Sequence, residues 1–585
     1  MATSNQSKEY LDNLRHSCAH LLAAAVLELY PSVKRAIGPS IEDGFYYDFD
    51  FGGVKISEED FPKIENKMKE LVKTWKSFEK KNVSTEKAKE FYKDNEYKIE
   101  LIEEFSKGGK KLTFYQSGNY SDLCRGGHVD HPDLRLKYFR LLSLAGAYWR
   151  GNEKNKMLTR IYGTCFQTQK ELDNYLKMLD EAKKRDHKKL GKELELFTFS
   201  SEVGQGLTIW LPKGAVIRRV IEDFMVSEQT KMGYHHVYSP HIGQKTLWKK
   251  SGHWDLYKEK MYSPMDVDGT EYLVKPMTCP MHIQSFEFKP KSYRDLPYKI
   301  AEIASVYRYE QSGELSGLLR VRSFTQDDAH IFCTPEQAVD EFIEVFNFIK
   351  KLYSSFGFND YIIRLGIRSK KEKYLGNDAV WQKAEKKILE ALKISKAKYI
   401  VSEGDAAFYG PKVDFVIKDA LGRQWQCGTA QIDFMLPERF NLEYVDSDGK
   451  TKTPVMIHRA PLGSLERFLG ILIEHYSGAF PTWLSPVQVK ILSIAERHVL
   501  YANTIVNQLR TNGLRVELND KNETLGNKIR DAQNEKVPYM LIVGDKEVVD
   551  NTVNIRKRSQ KESNNIKLKE FIKNIKKEIE EKSIL

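Results

Sequence analysis

Residues 307–332 read YRYEQSGELSGLLRVRSFTQDDAHIF, and the fold of the surrounding chain is decided by how this stretch is read. Two runs with strand-like alternation are joined by a loop carrying Gly313 and Gly317, the pattern of an antiparallel hairpin. In the second run the even positions are Arg320, Arg322, Phe324, Gln326, Asp328 and His330, and the odd ones are Val321, Ser323, Thr325, Asp327, Ala329 and Ile331. Successive strand side chains point to opposite faces, so one face gathers cations, an aromatic ring, an amide, a carboxylate and an imidazole. That is a poor core face and a good site face. A solvated charged edge strand would account for Arg320 and Arg322 but not for Phe324 and His330 beside them.

Working outward, FYGPKVDFVI (408–417) and RQWQCGTAQIDFML (423–436) read as strands, and VMIHRAPLGSLERFLGILIEHY (455–476) as a strand running into a long helix. Strands that follow one another through turns and hairpins favour a large antiparallel sheet over a doubly wound parallel one. Helices are expected from Pro335 to Phe356 and from Asp378 to Leu392. His458 ends the strand before the long helix and Arg467 begins that helix, a place where an arginine suits a polyphosphate. Ahead of the hairpin, KPMTCPMHIQSF (275–286) sets Cys279 among prolines that fix the local backbone. GYHHVYSP (233–240) ends a strand at Pro240, and LTIWLPKGAVIRRVIEDFM (207–225) holds a Pro and Gly turn followed by a helix.

The N-terminal third has its own chemistry. Apolar positions at helical spacing run from Tyr10 to Tyr30, and His16 and His20, four apart, project from one face of that helix. Far downstream, Cys124 and His128 flank Gly126 and Gly127 in a loop. Two His and a Cys-x-x-x-His pair have the look of four zinc ligands. A metal-free hydrolytic pocket in which the same groups position water is the competing reading. Residues 172–196, rich in Lys and Glu with spaced leucines, read as one long connecting helix. From Pro486 strands and helices alternate strictly, a compact α/β domain closed by a Lys-rich helix at KLKEFIKNIKKEIEEK (567–582).

The 585 residues are enough for three or four domains, and 41% hydrophobic with 30% charged residues is the balance of an ordinary soluble protein. A formal charge of +11 suits a polyanionic partner without demonstrating one. Six scattered cysteines make no disulfide framework, so a cytoplasmic location is expected. No signal peptide opens the chain, and LLAAAVLELY is too short to span a bilayer, so no membrane role is expected.

These residues resemble the class II aminoacyl-tRNA synthetases and, among them, the threonyl enzymes. The general class II marks are a proline ending motif 1 (Pro240), an arginine in the hairpin of motif 2 (Arg308) and GSLERFLG with Arg467 in motif 3. KPMTCPMH, RSFTQDDAHIF, FYGPK, WQCGTAQIDF and VMIHRAPLGSLER in that order, behind HSCAH and CRGGH, narrow the family. The resemblance implies an α+β multidomain chain: an editing domain with its connecting helix at 1–185, a class II catalytic domain with a large antiparallel sheet at 186–482, and an anticodon-binding domain at 483–585. It also implies activation of threonine with ATP to the adenylate, transfer to the 3′ end of tRNA(Thr), and hydrolysis of seryl-tRNA(Thr) at the N-terminal site.

Residue by residue, the resemblance makes Cys279, His330 and His458 ligands of one zinc ion, with Asp328 accepting from the threonine hydroxyl and Tyr409 and Gln431 near the amino acid. Arg308 would hold the carboxylate and α-phosphate, Arg467 the γ-phosphate, and Phe324 would stack on adenine, with Glu310, Arg320, Gln326, Lys412, Gln426 and Ser464 as further contacts. Magnesium enters with ATP. His16, His20, Cys124 and His128, supported by Lys98, Asp122 and Tyr47, match the editing pocket; the resemblance favours water-mediated hydrolysis there, with a metal left open. Asn522, Glu547 and Arg556 match anticodon-reading positions, and motif 1 implies a homodimer. The chain departs from the family in running straight into the editing helix without the ubiquitin-like domain usual in bacterial relatives. It also carries Gly127 where Pro is usual, Met281 for Gly and Tyr309 for Asn. None removes a proposed ligand or cation, so altered rates are expected and not lost function. A catalytically dead RNA-binding regulator would lack Arg308, Arg467 or a zinc ligand, and a zinc hydrolase centred on His16 would leave residues 196–585 without purpose.

The chemistry of the substrate explains two sites. A pocket built to hold a hydroxyl rejects valine strongly, whereas serine keeps the hydroxyl and lacks one methyl, worth about 1–3 kcal/mol.

Overall fold

The computed structural model describes residues 2–107, 111–369, 374–558, 560 and 562–584. The chain divides into two compact units at Asp180/Glu181.

The first unit is built on the helix Ala2–Leu29, whose Leu14, Leu21, Leu22, Ala25 and Val26 are fully buried at the spacing of one apolar stripe. It packs on an antiparallel sheet ordered Lys34–Arg35, Gly44–Asp50, Met157–Phe166 and Tyr138–Tyr148, with Ser40–Ile41 paired to Gly44–Asp50. A second sheet of three strands, Glu79–Val83, Leu112–Ser117 and Tyr120–Leu123, carries the loop to Cys124.

The second unit contains an eight-stranded sheet ordered His235–His236, Tyr298–Tyr307, Ser323–Cys333, Val455–Ala460, Gln424–Asp433, Lys412–Lys418, Tyr361–Ile367 and Tyr399–Glu403. Its central pairings are antiparallel and its two edge pairings parallel. One face is covered by the helices Ala338–Ser355 and Leu465–Tyr476, which bury Phe342, Phe346, Ile349, Phe468 and Leu472 against Ala329, Ile331 and Ile457. The opposite face carries the site. Beyond Pro486 a five-stranded sheet runs Val516–Asn519, Val489–Ser493, Tyr539–Val543, Thr552–Lys557 and Ser563–Lys567, around a core of its own.

Several local expectations need correction. The hairpin forms, but its strands are Tyr298–Tyr307 and Ser323–Cys333, so Arg320 and Arg322 lie in the loop and not on the strand face. The connecting helix is two helices, Gln169–Arg185 and His187–Glu193. Asp186 breaks it by leaving the helical conformation and accepting from the N–H groups of Lys188 and Lys189, which starts a new helix. Pro212 and Gly214 form no turn: Pro212 opens the helix Pro212–Lys231, where its missing N–H costs nothing. The strand before Pro240 is only His235–His236.

Candidate functional site

Register assembles the site. His330 lies opposite His458, His458 opposite Gln431, and Gln431 opposite Lys412. Opposed residues share a sheet face, so four strands align one row of functional side chains. A second device adds Gln426. It is five residues from Gln431, which on a regular strand would put the two on opposite faces. A register shift opposite Asp414 and Val416 reverses the phase, and both line one cavity.

That cavity, of about 330 Å³, is lined by Arg308, Glu310, Arg320, Phe324, Gln326, Lys412, Gln426, Gln431, Ser464 and Arg467. The Ser464 hydroxyl accepts from Arg467 N–H at 3.1 Å and starts the helix Leu465–Tyr476. Arg467 Nε is buried without a hydrogen-bond partner, a cationic donor suited to an anion. The Arg308 guanidinium stands 5.1 Å from the Phe324 ring centre and donates to Pro276 O at 3.2 Å. Lys412 Nζ lies 2.7 Å from Asp414 and 3.1 Å from Asp405. Burial works against its charge, but Asp414 and Asp405 outweigh it and hold its pKa above the ordinary value. In the hairpin loop Lys260 bridges Glu310 and Glu314, and Arg320 lies 3.4 Å from Glu314.

Tyr409 and Asp328 are not among the lining residues but adjoin them. Tyr409 donates to Gln431 Oε1 at 2.5 Å, and its ring centre is 4.8 Å from that of His458. The His458 and His330 ring centres are 4.7 Å apart, and Asp328 is 4.0 Å from His330 Nε2. Thr278, next to Cys279, donates to Asp328. The three proposed zinc ligands are each buried. Their donor atoms do not close into a ligand cage within 4.8 Å. Their donor set and its support do fit zinc. His282 Nε2 donates to Glu302 at 3.1 Å, so His282 Nδ1 accepts from His330 Nδ1 at 2.7 Å and leaves His330 Nε2 as a lone pair. Asp433 takes His458 Nε2 at 2.9 Å and leaves Nδ1. Burial, then Asp328 and Asp433, pushes the Cys279 thiol up, and burial, then His458 and His282, pushes His330 down. A divalent cation would offset both.

Sequence reasoning missed His253, His282, Glu302 and Asp433. His282 was legible, three residues after Cys279 on one helix and so on the same face. His253, whose Nε2 is 3.6 Å from Cys279 Sγ, gave no local signal.

In the first unit a cavity of about 980 Å³ is lined by His16, His20, Tyr47, Lys98, Asp122 and Cys124. His128 sits against it: Cys124 Sγ lies 3.1 Å from His16 Nε2 and 3.3 Å from His128 Nε2. Among the described residues, His16, His20, Cys124 and His128 are the one group of His, Cys and carboxylates whose ligand atoms all fall within 4.8 Å. Asp122 is saturated. It accepts from Tyr47 at 2.6 Å, Tyr120 at 2.9 Å, Tyr92 at 2.7 Å and Lys98 at 2.7 Å, with Arg35 Nε at 3.6 Å. Burial alone would raise its pKa, but Arg35 and Lys98 hold it well below the usual carboxylate range. The carboxylate thus fixes Lys98 and has little left for a substrate. Burial and then Arg35 lower Lys98 itself, against the pull of Asp122. Arg35, Tyr92 and Tyr120 were missed, although Tyr120 is two residues from Asp122 on one strand and therefore on its face.

The three residues read as departures each have local surroundings that suit them. Gly127 has φ +83°, which proline cannot adopt. Met281 packs with Trp248, and the Tyr309 ring lies under Arg322 with 4.6 Å to its guanidinium. At the far end Asn522 is exposed, Arg556 Nε is buried without a partner, and Glu547 accepts from Gly544 N–H at 2.9 Å and Asn565 at 3.2 Å. No contact ties the three together in this structure.

Comparison with known proteins matches residues 259–476 to the tRNA synthetase class II core domain (G, H, P, S and T), 488–578 to the anticodon binding domain, and 112–162 to the threonyl and alanyl tRNA synthetase second additional domain. A threonine–tRNA ligase of Sulfurihydrogenibium sp. is 48% identical over 584 residues, 99% of this chain and 90% of its own length. One from Flavobacterium psychrophilum is 50% identical over 555 residues, 94% of this chain and 85% of its own length. Among solved structures, the RNA binding domain of threonyl-tRNA synthetase from Cryptosporidium parvum is similar at TM-score 0.65 and 40% identity, covering 67% of this chain and 98% of that one.

Proposed function

The chain belongs to the threonine–tRNA ligase family, and from that premise we propose how its own residues divide the work. It is an aminoacyl-tRNA ligase with a class II core and an editing domain, and its substrates are threonine, ATP and tRNA. The threonine carboxylate attacks the α-phosphorus of ATP and pyrophosphate leaves; a ribose hydroxyl of the tRNA then attacks the adenylate carbonyl and AMP leaves. No covalent enzyme intermediate is needed, so positioning and cations opposing the developing charge carry the rate.

In our reading Arg308 holds the threonine carboxylate and the α-phosphate, Arg467 the γ-phosphate, and Phe324 the adenine. Arg320, Glu310, Gln326, Lys412, Gln426 and Ser464 complete the nucleotide side, and magnesium accompanies the phosphates. Tyr409, Gln431 and Asp328 orient threonine. Cys279, His330 and His458 would hold zinc, which when bound supplies a Lewis acid for the threonine amino and hydroxyl groups. The observation that carries this reading is the cross-strand row from His330 to Lys412, in a sheet whose cavity is also lined by Arg467 with its Nε unpartnered. The test is pyrophosphate exchange over an amino-acid panel. Exchange should depend on threonine and collapse with zinc content in Cys279→Ser; a fully active metal-free enzyme would sink the zinc role.

The cavity around Cys124 is assigned to hydrolysis of seryl-tRNA, with His16, His20, Cys124 and His128 at the reacting centre and Lys98 held by Asp122 and Tyr47. A second metal reading is favoured there by the convergence of those four groups within 4.8 Å. Metal analysis of Cys279→Ser beside Cys124→Ala separates the two.

We assign residues 1–185 to editing with its connector, 186–482 to catalysis and 483–585 to the anticodon, with Asn522, Glu547 and Arg556 meeting its bases. The family matches at 259–476 and 488–578 support these limits. A homodimer through motif 1 is supported by Tyr238, 92% exposed, and Phe288, 80% exposed, near Pro240 in sequence and strand order. Sedimentation of Tyr238→Asp should show a monomer. None of the helices of the described residues is long and apolar enough to cross a membrane. A cytoplasmic location is our reading, supported by six free cysteines.

A further inference from the structure

The broken connector delivers a buried histidine to the hairpin loop. Asp186 ends one helix, and His187, 1% exposed, is the first residue of the next. Its Nδ1 lies 2.7 Å from Glu474 Oε1, and its backbone N–H donates to the same oxygen at 3.2 Å. Its Nε2 accepts the backbone N–H of Leu318 at 3.0 Å. A backbone N–H can only donate, so Nε2 is the lone-pair nitrogen and Nδ1 carries the proton given to Glu474. One ring thus joins three segments distant in sequence: the connector, the loop between Tyr307 and Ser323, and the helix Leu465–Tyr476, which carries Arg467 in its first turn.

The loop is fitted to this ring. Gly317 has φ +51°, and a Cβ there would stand 2.3 Å from His187 Nε2. Leu318 is fully buried, and a Cβ on Gly470 would meet Leu318 Cβ at 3.2 Å and Leu319 Cδ2 at 3.1 Å, so loop and helix are in close contact. The second oxygen of Glu474 accepts from Arg423, which keeps the carboxylate from turning away. Arg320, which lines the nucleotide cavity, is two residues past Leu318. Nothing in His187 reaches the cavity.

We propose that His187 is a positioning residue of adenylate formation, a clamp that holds the Gly317–Leu319 turn against the helix of Arg467 so that Arg320 faces the nucleotide. The proposal rests on the assignment of that cavity to ATP.

The decisive variants are His187→Phe, which keeps the ring and loses both nitrogens, and His187→Gln, whose amide can donate to Glu474 and accept from Leu318 across a similar span. In pyrophosphate exchange with the full-length enzyme, His187→Phe should raise the KM for ATP about tenfold or more, the effect of two lost side-chain hydrogen bonds, with the KM for threonine unchanged within about twofold. His187→Gln should restore most of it. Gly317→Ala attacks the same contact from the loop, and combined with His187→Phe should add nothing further. The KM for threonine, read from the same unit, and that unit's own calorimetric transition serve as the controls for folding. Equal changes in both KM values, additive effects, or failure of Gln to rescue would overturn the clamp. Arg320→Ala is measured alongside: an unchanged KM for ATP in that variant would instead remove the assignment of the loop to ATP.

Discussion

At the scale of single residues the site is a matter of which atoms remain free. Glu302 decides this for His330 through His282. Burial pushes its carboxyl up, but the hydrogen bonds from His282 and Ser239, with Lys275 beside it, bring it down to about 2, so it is a pure acceptor at neutral pH. His282→Phe should therefore weaken zinc retention by about 10–100-fold in chelator competition, the usual effect of losing a ligand's support, while Cys124→Ala leaves it unchanged. In the editing cavity burial pushes the Cys124 thiol up to about 11 and His128 down to about 3. A lowered imidazole is unprotonated and a raised thiol keeps its proton between roughly pH 5 and 9, so deacylation by metal-free enzyme should show no inflection there. Slow alkylation of Cys124 at pH 8 would agree; rapid alkylation would contradict it. His16, His20, Cys124 and His128 stood out in the sequence because residue type and spacing mark them, whereas Cys279, His330 and His458 were linked only by the resemblance to the family. Glu302, Asp433 and Arg35 did not stand out, since a lone acid or arginine acquires meaning only from partners that the fold supplies.

At the scale of elements, alternation and helical spacing located the hairpin, the strands around Gln431 and His458, and the helix of Arg467. They failed where one side chain outranks periodicity. Asp186 splits the continuous helix expected over 172–196 because its carboxylate satisfies two N–H groups that the preceding helix would otherwise have used. The short strand His235–His236 and the 3-10 turns in the hairpin loop are likewise set by tertiary contacts. The loop at Cys124 provides a test at this scale. Gly126 and Gly127 have φ +103° and +83°, and Gly127→Pro forces a conformation this loop does not have. Deacylation of seryl-tRNA should fall by about tenfold or more while charging is spared, for about 1–3 kcal/mol of imposed strain. Unaltered deacylation would mean that the loop can take the other path at no expense.

At the scale of the molecule two compact units and a further core beyond Pro486 make a single unfolding transition implausible on physical grounds. Calorimetry should resolve at least two transitions, and the one assigned to the first unit should move with Leu22→Ala and not with Ile471→Ala. The charge of +11 suits a polyanionic substrate. Raising salt from about 50 to 200 mM should weaken tRNA binding by more than about tenfold and leave the KM for threonine within about twofold. The register shift opposite Asp414 and Val416 also has a genetic meaning. Between Gln426 and Gln431 the strand carries one residue more than its neighbour, so losing a single codon there would leave the glutamines four apart and still on one face, whereas losing Ile432 from the unshifted stretch beyond would turn Asp433 away from His458 and into the core. A codon gained at the exposed turn Asp268–Gly269 would only lengthen a loop. In-frame losses of one codon would thus differ between a working enzyme and a dead one, and the chain's tolerance of insertions and deletions is written in the phase of its strands.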